Sequence, residues 1–284
     1  MESQAEERPT ECAGYRLGAE LGRGGSGVVY AGARGSERAA IKLLHRGLTQ
    51  NRQAVARFFH EARSVATIRD PGMVHIYDAG QDHDGRAFIV MELLEGESLA
   101  GRIARPPRAA HAFLTYVGCE VARTLGKAHA LRIVHRDLKP DNLYLARDRT
   151  RPFGAQVKVL DFGMAKLDPE AGPYSFVTDR GALVGTPVYM SPEQCRGGEV
   201  DARSDVYALG CVLYELACGR PPFIEGGLGM ILGAHVYQPV RRPREFAPTI
   251  STQLEQVLLH ALEKDPAHRP PTMDVFATAL ASAS

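Results

Sequence analysis

One stretch of the sequence decides the fold: Ile133-Val134-His135-Arg136-Asp137-Leu138-Lys139-Pro140-Asp141-Asn142, followed by Val159-Leu160-Asp161-Phe162-Gly163. Both parts place charged and polar side chains in short loops next to apolar residues. Two strand-like apolar pieces, residues 143–146 and 157–160, are separated by a turn-rich insertion over residues 147–155. A pattern this long and this regularly spaced is far more specific than a single short motif.

On both sides of this stretch the hydrophobic spacing predicts helices. Residues 205–218 are apolar nearly all round and end before Gly219, which is typical of a helix at the centre of a core. Residues 109–131 carry Phe113, Val117, Val121 and Leu125 on one face, and further helices are predicted at residues 253–263 and from Thr272 onward. The later part of the chain is therefore expected to be mainly helical.

The part of the chain before residue 94 has a different pattern, in which short β-forming runs are separated by turn residues. Strands are predicted at residues 15–22, 28–32, 39–44, 74–79 and 87–93, and one helix at residues 58–68. Successive short strands joined by tight turns pair in an antiparallel way. The sequence thus predicts a small, sheet-dominated first part with one main helix.

A glycine cluster, Gly22-Arg23-Gly24-Gly25-Ser26-Gly27, lies between the first two predicted strands. The G-x-G-x-x-G spacing alone is weak, because it also opens helices of dinucleotide-binding folds. Here the β-forming residues Val28, Val29 and Tyr30 follow, so the glycines are predicted to form a hairpin that can fold over a phosphate chain. A plain glycine-rich hairpin turn is the alternative. No G-x-x-x-x-G-K-[ST] occurs, which excludes a P-loop nucleotidase.

Two charged residues interrupt apolar patterns. Lys42 lies in the strand run Ala39-Ala40-Ile41-Lys42-Leu43-Leu44, where a lysine is costly unless an anion meets it. Glu61 lies between Phe58 and Val65 on the inward face of the following helix. We therefore expect Lys42 and Glu61 to form an ion pair. The alternative is a lysine whose ammonium reaches solvent beside a solvent-facing glutamate.

The composition disfavours several classes of protein. Lys and Arg number 34 against 33 Asp and Glu, a net charge of +1, so no strong field favours nucleic acid or an anionic membrane as a partner. The five cysteines include no C-x-x-C pair, which indicates reduced thiols rather than a zinc site or a disulfide framework. The most apolar segment, residues 206–218, is too short to cross a bilayer. We expect residues 1–14 to form a tail and the location to be cytoplasmic.

The H-R-D-L-K-P-x-N run at residues 135–142 with D-F-G at residues 161–163 resembles the eukaryotic-type (Hanks-type) serine/threonine protein kinases, including their bacterial members. The resemblance extends from about Tyr15 to about Ala279. It implies an α+β, bilobal fold with a small antiparallel β-sheet N-lobe that has one main helix and a larger, mainly helical C-lobe. The expected boundaries are a kinase domain over residues 15–284, divided into N-lobe 15–92, hinge 93–97 and C-lobe 98–284.

The resemblance also implies the phosphate site and the catalytic group. The glycine cluster would close over the ATP phosphates, while Lys42, held by Glu61, would contact the α and β phosphates. Asp137 would accept the proton of the incoming hydroxyl, and Lys139 would neutralise charge on the transferring phosphoryl group. The transition state spreads negative charge over phosphoryl oxygens, which metals, cations and N–H groups stabilise.

The metal and adenine sites are implied in the same way. Asn142 and Asp161 would hold Mg²⁺, with Mn²⁺ as the alternative metal. Tyr144 stands where the family more often has an aliphatic residue, and an aromatic ring can also cover a purine. Adenine would lie among Leu21, Val29, Ala40, Met91 and Tyr144, with its edge on the backbone of Glu92 and Leu94. Ordinary core packing is the alternative for each apolar member of this set.

Lys139 and the segment Gly185-Thr186-Pro187-Val188-Tyr189-Met190-Ser191-Pro192-Glu193 resemble the serine/threonine branch of the family. The resemblance therefore implies protein substrates with Ser or Thr hydroxyls. In the family Glu193 pairs with a late arginine, here Arg269, and Asp205 braces the catalytic loop. A simple surface ion pair is the alternative for Glu193 with Arg269.

Regulation is suggested by Arg136, because family members with this arginine often need a phosphate on the loop that precedes Glu193. Thr178 is the expected phosphorylation site, with Ser175 second and Thr186 in the same loop; a plain loop threonine is the alternative. Family members also often activate one another as transient dimers. We therefore expect trans-autophosphorylation in a homodimer.

Two other functions share this fold. A pseudokinase scaffold usually lacks one of the catalytic groups, whereas Lys42, Asp137, Asn142 and Asp161 are all present. A small-molecule phosphotransferase generally lacks the segment over residues 185–193, which in the family cradles a polypeptide. Both alternatives are therefore disfavoured.

Overall fold

The computed structural model describes residues 9–106, 108–162 and 187–283. Its residue contacts divide the chain into two units. The first comprises the chain up to Thr67 together with Val74–Leu94, and the second comprises Ile68–Met73 together with the chain from Glu95 onward. No helix in the described ranges is long and apolar enough to cross a membrane. All five cysteines are free thiols.

The first unit is an antiparallel six-stranded sheet with one helix. The β-branched and aromatic runs form the strands, and the glycine-containing segments between them form the turns. The strands pair in the order β1-β2-β3-β4-β6-β5. The elements are β1 (Glu11–Cys12), β2 (Tyr15–Arg23), β3 (Gly27–Arg34), β4 (Glu37–Leu44), α1 (Arg52–Thr67), β5 (Ile76–Gln81) and β6 (Ala87–Met91).

The two faces of this sheet bury different residues, because successive side chains point to opposite sides of a strand. In β4, Ile41 and Leu43 belong to the hydrophobic cluster on one face. Leu44 packs with Phe58 of α1 in the cluster on the other face. Lys42 has the same parity as Leu44, so β4 directs Lys42 to the face that α1 covers.

The second unit is mainly helical and contains one small antiparallel sheet. This sheet pairs in the order β7-β8-β9. The strands are β7 (Gly96–Ser98), β8 (Leu143–Arg147) and β9 (Ala155–Val159). The helices are α2 (Leu99–Ile103), α3 (His111–Ala130), α4 (Pro192–Arg196), α5 (Ala202–Cys218), α6 (Leu228–Tyr237), α7 (Thr252–Ala261) and α8 (Met273–Ser282).

Helix α5 lies at the core of the second unit, as its sequence predicted. The side chain of Asp201 accepts the backbone N–H of Arg203 and caps the start of the helix, and Gly219 ends it in the left-handed conformation (φ 73°). From Ser204 to Cys218 every residue except Glu215 is buried. Full burial of one large apolar side chain stabilises the fold by about 1.5–3 kcal/mol. Helix α5 therefore lies in the core, where it packs against α3 and α7.

The predicted α+β organisation is confirmed. Among the strands and α-helices of the described residues, the sequence did not predict β1, β7, α2, α4 and α6. Within the stretch predicted as a tail, Cys12 is buried and pairs with Tyr15. Helix α1 begins at Arg52, earlier than the predicted residue 58. Just before this start, the side chain of Asn51 accepts the N–H of Ala54. Local caps and pairing partners, which hydrophobic spacing does not reveal, set these boundaries.

The connection from α1 to β5, Ile68–Met73, packs as part of the second unit. Asp70 anchors it, because its buried carboxylate accepts hydrogen bonds from the N–H of Gly72 (2.7 Å) and the hydroxyl of Thr124 (3.0 Å). The same carboxylate pairs with Arg123 and Lys127 of α3, each at 2.7 Å. An added Cβ at Gly72 would lie 2.0 Å from Thr124 Oγ1, so only glycine fits there.

This anchor predicts a pH-dependent stability. Burial alone would raise the pKa of the Asp70 carboxyl, but the hydrogen bonds from Lys127 and Gly72 and the charge of Arg123 bring that pKa below its ordinary value. A carboxyl with a lowered pKa stabilises the folded state fully above the pKa of the unfolded side chain, about 3.9, and this contribution is lost as the pH falls through the folded pKa. We expect Asp70→Asn to lower the free energy of unfolding by about 2 kcal/mol near neutral pH.

Urea unfolding of the wild type and Asp70→Asn, near neutral pH and at a series of acidic pH values, measures this contribution. The difference between the two proteins should shrink as the pH falls through the folded pKa of Asp70, because the carboxyl is then protonated in the folded state as well as in the unfolded state. The matched control is Glu37→Gln, which removes an exposed pair with Arg34 (2.8 Å) and should cause no comparable loss. A difference for Asp70→Asn that stays constant with pH would contradict the ionic anchor.

Candidate active site

The glycine cluster forms the hairpin between β2 and β3, as predicted. The N–H of Gly24 donates to the carbonyl oxygen of Gly27 (2.9 Å), and His45 Nε2 lies 2.8 Å from the carbonyl oxygen of Gly24. Val28 and Val29 continue as strand β3, paired with Leu43 and Lys42. The loop therefore joins two strands and does not open a helix, which separates it from the dinucleotide-binding arrangement.

The glycines of this loop have two different explanations. An added Cβ at Gly27 would lie 2.0 Å from the carbonyl oxygen of Leu43, so the pairing of β3 with β4 requires glycine there. At Gly22 and Gly24 an added Cβ would meet no atom within 4 Å, and both residues are exposed. Packing within the described residues does not require glycine at these two positions. Their bare backbone leaves room for a close-fitting phosphate chain.

The predicted ion pair between Lys42 and Glu61 is present. Lys42 Nζ lies 3.1 Å from Glu61 Oε1, and the two side chains are only 7% and 8% exposed. This burial excludes the alternative of a lysine and a glutamate that both reach solvent. A buried pair gains little net stability, because desolvation of the charges offsets their attraction. Its burial is better explained by a role in holding the ammonium in place.

Three of the residues predicted for the adenine site share a sheet face with Lys42. Residues directly opposite each other in antiparallel strands point to the same side. Val29 lies opposite Lys42, and Ala40 lies opposite Met91. Because Ala40 precedes Lys42 by two positions in β4, all four side chains point to one face.

The other residues predicted for the adenine site lie in strand β2 of this sheet, directly after β6, or in the second unit. Leu21 is 51% exposed in β2, and Glu92 and Leu94 follow β6. The N–H of Glu92 donates to the carbonyl oxygen of His75 (2.9 Å), which fixes the chain as it leaves the strand. Tyr144 is half-buried in β8, opposite Lys158. Their contact with a nucleotide stays a prediction.

In the second unit, Asp205 holds the loop that carries Asp137. Its carboxylate accepts the N–H of His135 (2.8 Å) and the N–H of Arg136 (2.9 Å), and it also contacts His129 Nε2 (2.7 Å). Arg136 has a left-handed backbone (φ 65°), which is costly for a residue with a side chain. The brace that the sequence predicted for Asp205 is therefore present, and it acts on the strained residue next to Asp137.

His135 is a site residue whose role the sequence did not reveal. Its ring is fully buried and lies against Phe162, with ring centroids 4.6 Å apart. Burial lowers the pKa of His135 and keeps it neutral. Nε2 lies 3.0 Å from the carbonyl oxygen of Leu160, which can only accept, so Nε2 carries the proton and Nδ1 accepts the N–H of Asp137 (3.3 Å). His135 thus links the loops before Asp137 and Asp161.

Asp137, Lys139 and Asn142 lie together in this loop. Lys139 Nζ is 3.5 Å from Asp137 Oδ2, and the two side chains are 29% and 21% exposed. Asn142 Nδ2 donates to the carbonyl oxygen of Asp137 (2.8 Å) and leaves its own Oδ1 on the other side of the amide. A partly exposed carboxylate beside an ammonium can accept a proton from an incoming hydroxyl while the cation meets a phosphate.

The hairpin β8–β9 brings Asn142 and Asp161 to one end. Asn142 precedes β8, Asp161 follows β9, and the N–H of Leu160 donates to the carbonyl oxygen of Asn142 (2.8 Å). Asp161 is exposed and has a left-handed backbone (φ 42°). An amide oxygen and a carboxylate are ligands that Mg²⁺ prefers, so this donor set fits the predicted metal. No cluster of three His, Cys, Asp or Glu ligands occurs in the described part of the chain.

Glu193 and Arg269 form a buried, bidentate pair, so the alternative of a simple surface ion pair is wrong. Arg269 Nη1 and Nη2 each lie 2.8 Å from one oxygen of the Glu193 carboxylate. The side chain of Arg269 is fully buried and that of Glu193 is 10% exposed. Ser204 donates a further hydrogen bond to Glu193 (2.5 Å). The two residues are 76 positions apart in sequence, and both are buried in the core of the second unit.

Several predicted residues lie outside the described residues. They are Gly163 of the D-F-G run, Ser175, Thr178, Gly185 and Thr186. The predicted catalytic and metal-binding residues fall into two groups. Lys42 and Glu61 meet in the first unit, and Asp137, Lys139, Asn142 and Asp161 lie in two adjoining loops of the second.

Comparison with known proteins identifies the family. The family model of the protein kinase domain matches residues 15–280 of this chain. The chain therefore belongs to the protein kinase family, and its fold is the protein kinase fold. It is similar to the crystal structure of the Mycobacterium tuberculosis PknI kinase domain, with a TM-score of 0.72 and 25% identity over 96% of this chain and 97% of that one.

Among curated proteins, the relatives are bacterial serine/threonine kinases. The chain is 43% identical over 272 residues to the serine/threonine-protein kinase Pkn1 of Myxococcus xanthus, covering 95% of this chain and 38% of that protein. It is 40% identical to the DNA damage-responsive serine/threonine-protein kinase RqkA of Deinococcus radiodurans, covering 90% of this chain and 37% of that protein. The chain thus spans about two fifths of the length of these relatives.

Proposed function

We propose that this chain transfers the γ-phosphoryl group of Mg-ATP to serine and threonine hydroxyls of proteins. The observation that carries the proposal is the arrangement of Asp137, Lys139 and Asn142 in one braced loop next to Asp161. Membership of the protein kinase family and the similarity to bacterial serine/threonine kinases support it.

Each residue has a role that follows from its surroundings. Lys42, oriented by Glu61, would bind the α and β phosphates, and the exposed backbone of Gly22 and Gly24 would cover the phosphate chain. Asp137 would take the proton of the substrate hydroxyl, and Lys139 would stabilise charge on the transferring group. No covalent intermediate with the protein is needed.

Asn142 and Asp161 are the residues that would hold the divalent cation, through the amide oxygen and the carboxylate. The cation held by these residues would supply positive charge against the negative charge that develops on the phosphate oxygens. The hydrogen bond from Asn142 Nδ2 to the carbonyl oxygen of Asp137 fixes the orientation of the amide. The amide oxygen is therefore directed away from that carbonyl. Mn²⁺ has the same preference for oxygen ligands and is the alternative ion.

The two alternative functions are less well supported. A pseudokinase would not need a buried Lys42–Glu61 pair together with Asp137 and Asp161. In a small-molecule phosphotransferase the predicted peptide-binding segment that ends at Glu193 would have no role, whereas here the buried Glu193–Arg269 pair holds α4 in the core. Protein substrates are therefore the better proposal.

Incubation of the purified chain with γ-labelled ATP and a generic basic protein tests the proposal. We expect label on the protein only when Mg²⁺ or Mn²⁺ is present, and we expect acid hydrolysis to release phosphoserine and phosphothreonine. Phosphotyrosine as the main product would contradict the serine/threonine assignment. Absence of transfer, with nucleotide binding intact, would favour the pseudokinase alternative.

A second proposal concerns control of activity. Arg136 Nε is buried and has no hydrogen-bond partner within residues 9–106, 108–162 and 187–283. Burial lowers the pKa of Arg136, and the attraction of Asp205 only partly opposes this. A phosphate would supply a hydrogen-bond acceptor and negative charge. We propose Thr178 as its carrier, phosphorylated in trans in a transient homodimer in the cytoplasm, with Ser175 and Thr186 as the other candidates.

We expect Thr178→Ala to lower kcat at least about tenfold, because Arg136 then lacks the charge-assisted hydrogen bonds that a phosphate provides. Kinase assays and mass spectrometry of the loop check this result. Arg136→Gln provides the comparison, since it should respond little to prior incubation with ATP. Full activity of Thr178→Ala, with no phosphate on the loop, would remove the proposal.

A further inference from the structure

The residue before Asp137 is strained, and both sides of its peptide backbone are held. Arg136 has φ 65°, a conformation that costs a residue with a side chain roughly 1–3 kcal/mol. Such a residue persists only where its surroundings fix it. Asp205 binds its N–H at 2.9 Å, and Gln194 Nε2 donates to its carbonyl oxygen at 2.8 Å. The second contact comes from α4, for which the sequence predicted no link to Asp137.

The orientation of the Gln194 amide follows from its partners. Its Oε1 accepts the backbone N–H of Ser191 at 3.0 Å, and that group can only donate. Its Nε2 faces the carbonyl oxygen of Arg136, which can only accept. The two contacts therefore agree on one orientation of the amide. Gln194 joins the start of α4 to the loop that carries Asp137.

The carbonyl of Arg136 belongs to the peptide bond whose nitrogen is that of Asp137. Because a peptide bond is planar, fixing this carbonyl oxygen also fixes the direction of the Asp137 N–H, which donates to His135 Nδ1 at 3.3 Å. The backbone on both sides of Asp137 is then held, since Asn142 Nδ2 donates to the carbonyl oxygen of Asp137 itself. The Asp137 carboxylate is placed by this frame.

We propose that Gln194 is a positioning residue for Asp137, acting through the carbonyl of Arg136; the proposal rests on the kinase function proposed above. A purely structural role is the competing explanation, because Gln194 also completes the cap of α4 with Ser191. The two roles use different atoms of one side chain. The capping role uses Oε1, and the positioning role uses Nε2.

This division of roles defines the variants. Gln194→Glu keeps an oxygen for the Ser191 N–H and replaces the donor to Arg136 by an acceptor. Gln194→Met has a similar length and no charge, and removes both contacts. Ser191→Ala is the matched control: it removes the hydroxyl that accepts the N–H of Gln194 (3.4 Å) and donates to Gln194 Oε1 (3.2 Å), while the backbone N–H of Ser191 still orients the Gln194 amide.

We expect Gln194→Glu and Gln194→Met to lower kcat by about 10- to 100-fold, the range that follows from a small misplacement of a reacting group. The KM for ATP should change by less than about threefold, because Gln194 does not contact the groups proposed to bind the nucleotide. Ser191→Ala should keep kcat within about twofold of the wild type. A kcat of Gln194→Glu near that of the wild type, or an equal loss in Ser191→Ala, would overturn the proposal.

Hydrogen exchange measured by mass spectrometry provides a readout that does not depend on activity. Peptides that contain Arg136 and Asp137 should exchange at least about tenfold faster in both Gln194 variants than in Ser191→Ala. Unchanged exchange would show that Gln194 does not hold this backbone, even if the variants were less active. An inactive wild type with the expected exchange pattern would reject the kinase function while keeping the structural contact, so the two failures are distinguishable.

Discussion

Asp137→Asn is expected to reduce the rate of phosphoryl transfer by about 10²- to 10⁴-fold, the range in which a positioned general base contributes. Asparagine has nearly the shape of aspartate but cannot accept the proton of a hydroxyl. It should not disturb the loop, because Asn142 Nδ2 binds the backbone carbonyl of Asp137 at 2.8 Å and its contact with the carboxylate is long (3.5 Å). Steady-state rates and thermal unfolding measure both effects.

Nucleotide binding separates this prediction from a general loss of function. Asp137→Asn should keep the affinity for a fluorescent ATP analogue within about threefold of the wild type, since Asp137 is not among the proposed ligands of phosphate or metal. Asp161→Asn is the comparison and should lose most of the Mg²⁺-dependent part of that affinity. Asp137→Asn with a transfer rate above about a tenth of the wild-type rate would refute the role of a general base.

The elements that the sequence predicted well are those with local signals. Strands β2 to β4 follow from β-forming runs and the turns between them. Helix α3 follows from apolar periodicity, and α5 follows from a long run that is apolar nearly all round. The ion pair of Lys42 with Glu61 was also predictable, because each residue breaks an apolar pattern on a face that the other can reach. Local patterns of this kind require no knowledge of distant contacts.

Helix α6 shows why other elements were missed. Its sequence, residues 228–237, contains Gly229 and Gly233 and no Asp, Glu, Lys or Arg, so it has neither high helix propensity nor a polar face. It is helical because Ile231 and Val236 are buried in the second unit, and tertiary packing outweighs the cost of the glycines. Helix α4 is too short for any periodicity.

The catalytic motif and its brace Asp205 could be assigned from the sequence, but other groups that hold distant segments together could not. Gln194 binds the carbonyl of Arg136 across 58 positions, and Asp70 binds Arg123 across 53. The sequence shows only weak signs of them, a Ser-x-x-Gln cap before α4 and an acidic residue before Pro71. Hydrogen bonds between distant segments depend on the folded core, so spacing along the chain does not reveal them.

Arg269, whose pair with Glu193 was predicted, makes further hydrogen bonds that the sequence did not reveal. All five N–H donors of its guanidinium are used: Nε binds the carbonyl of Glu263, while Nη1 and Nη2 bind both oxygens of Glu193 and the carbonyls of Arg203 and Lys264. Burial alone would raise the pKa of Glu193, but the hydrogen bonds from Arg269 and Ser204 bring it below the ordinary value. The carboxylate therefore stays charged in the core.

We expect Arg269→Met to lower the free energy of unfolding by about 3–5 kcal/mol, because it leaves the buried charge of Glu193 uncompensated. Arg269→Lys should also lower the free energy of unfolding, since three donors cannot replace five in a fixed plane.

The double variant Glu193→Leu/Arg269→Met should lose less free energy of unfolding than the sum of the losses in the single variants Glu193→Leu and Arg269→Met. Urea unfolding of the wild type, the two single variants and the double variant measures this cycle, and Arg269→Lys is measured in the same way. Glu245→Gln, which removes an exposed pair with Arg241 (2.9 Å), is the control and should cause no measurable loss. Additive losses in the cycle would mean that the two charges do not stabilise each other, and that α4 is held by apolar packing instead.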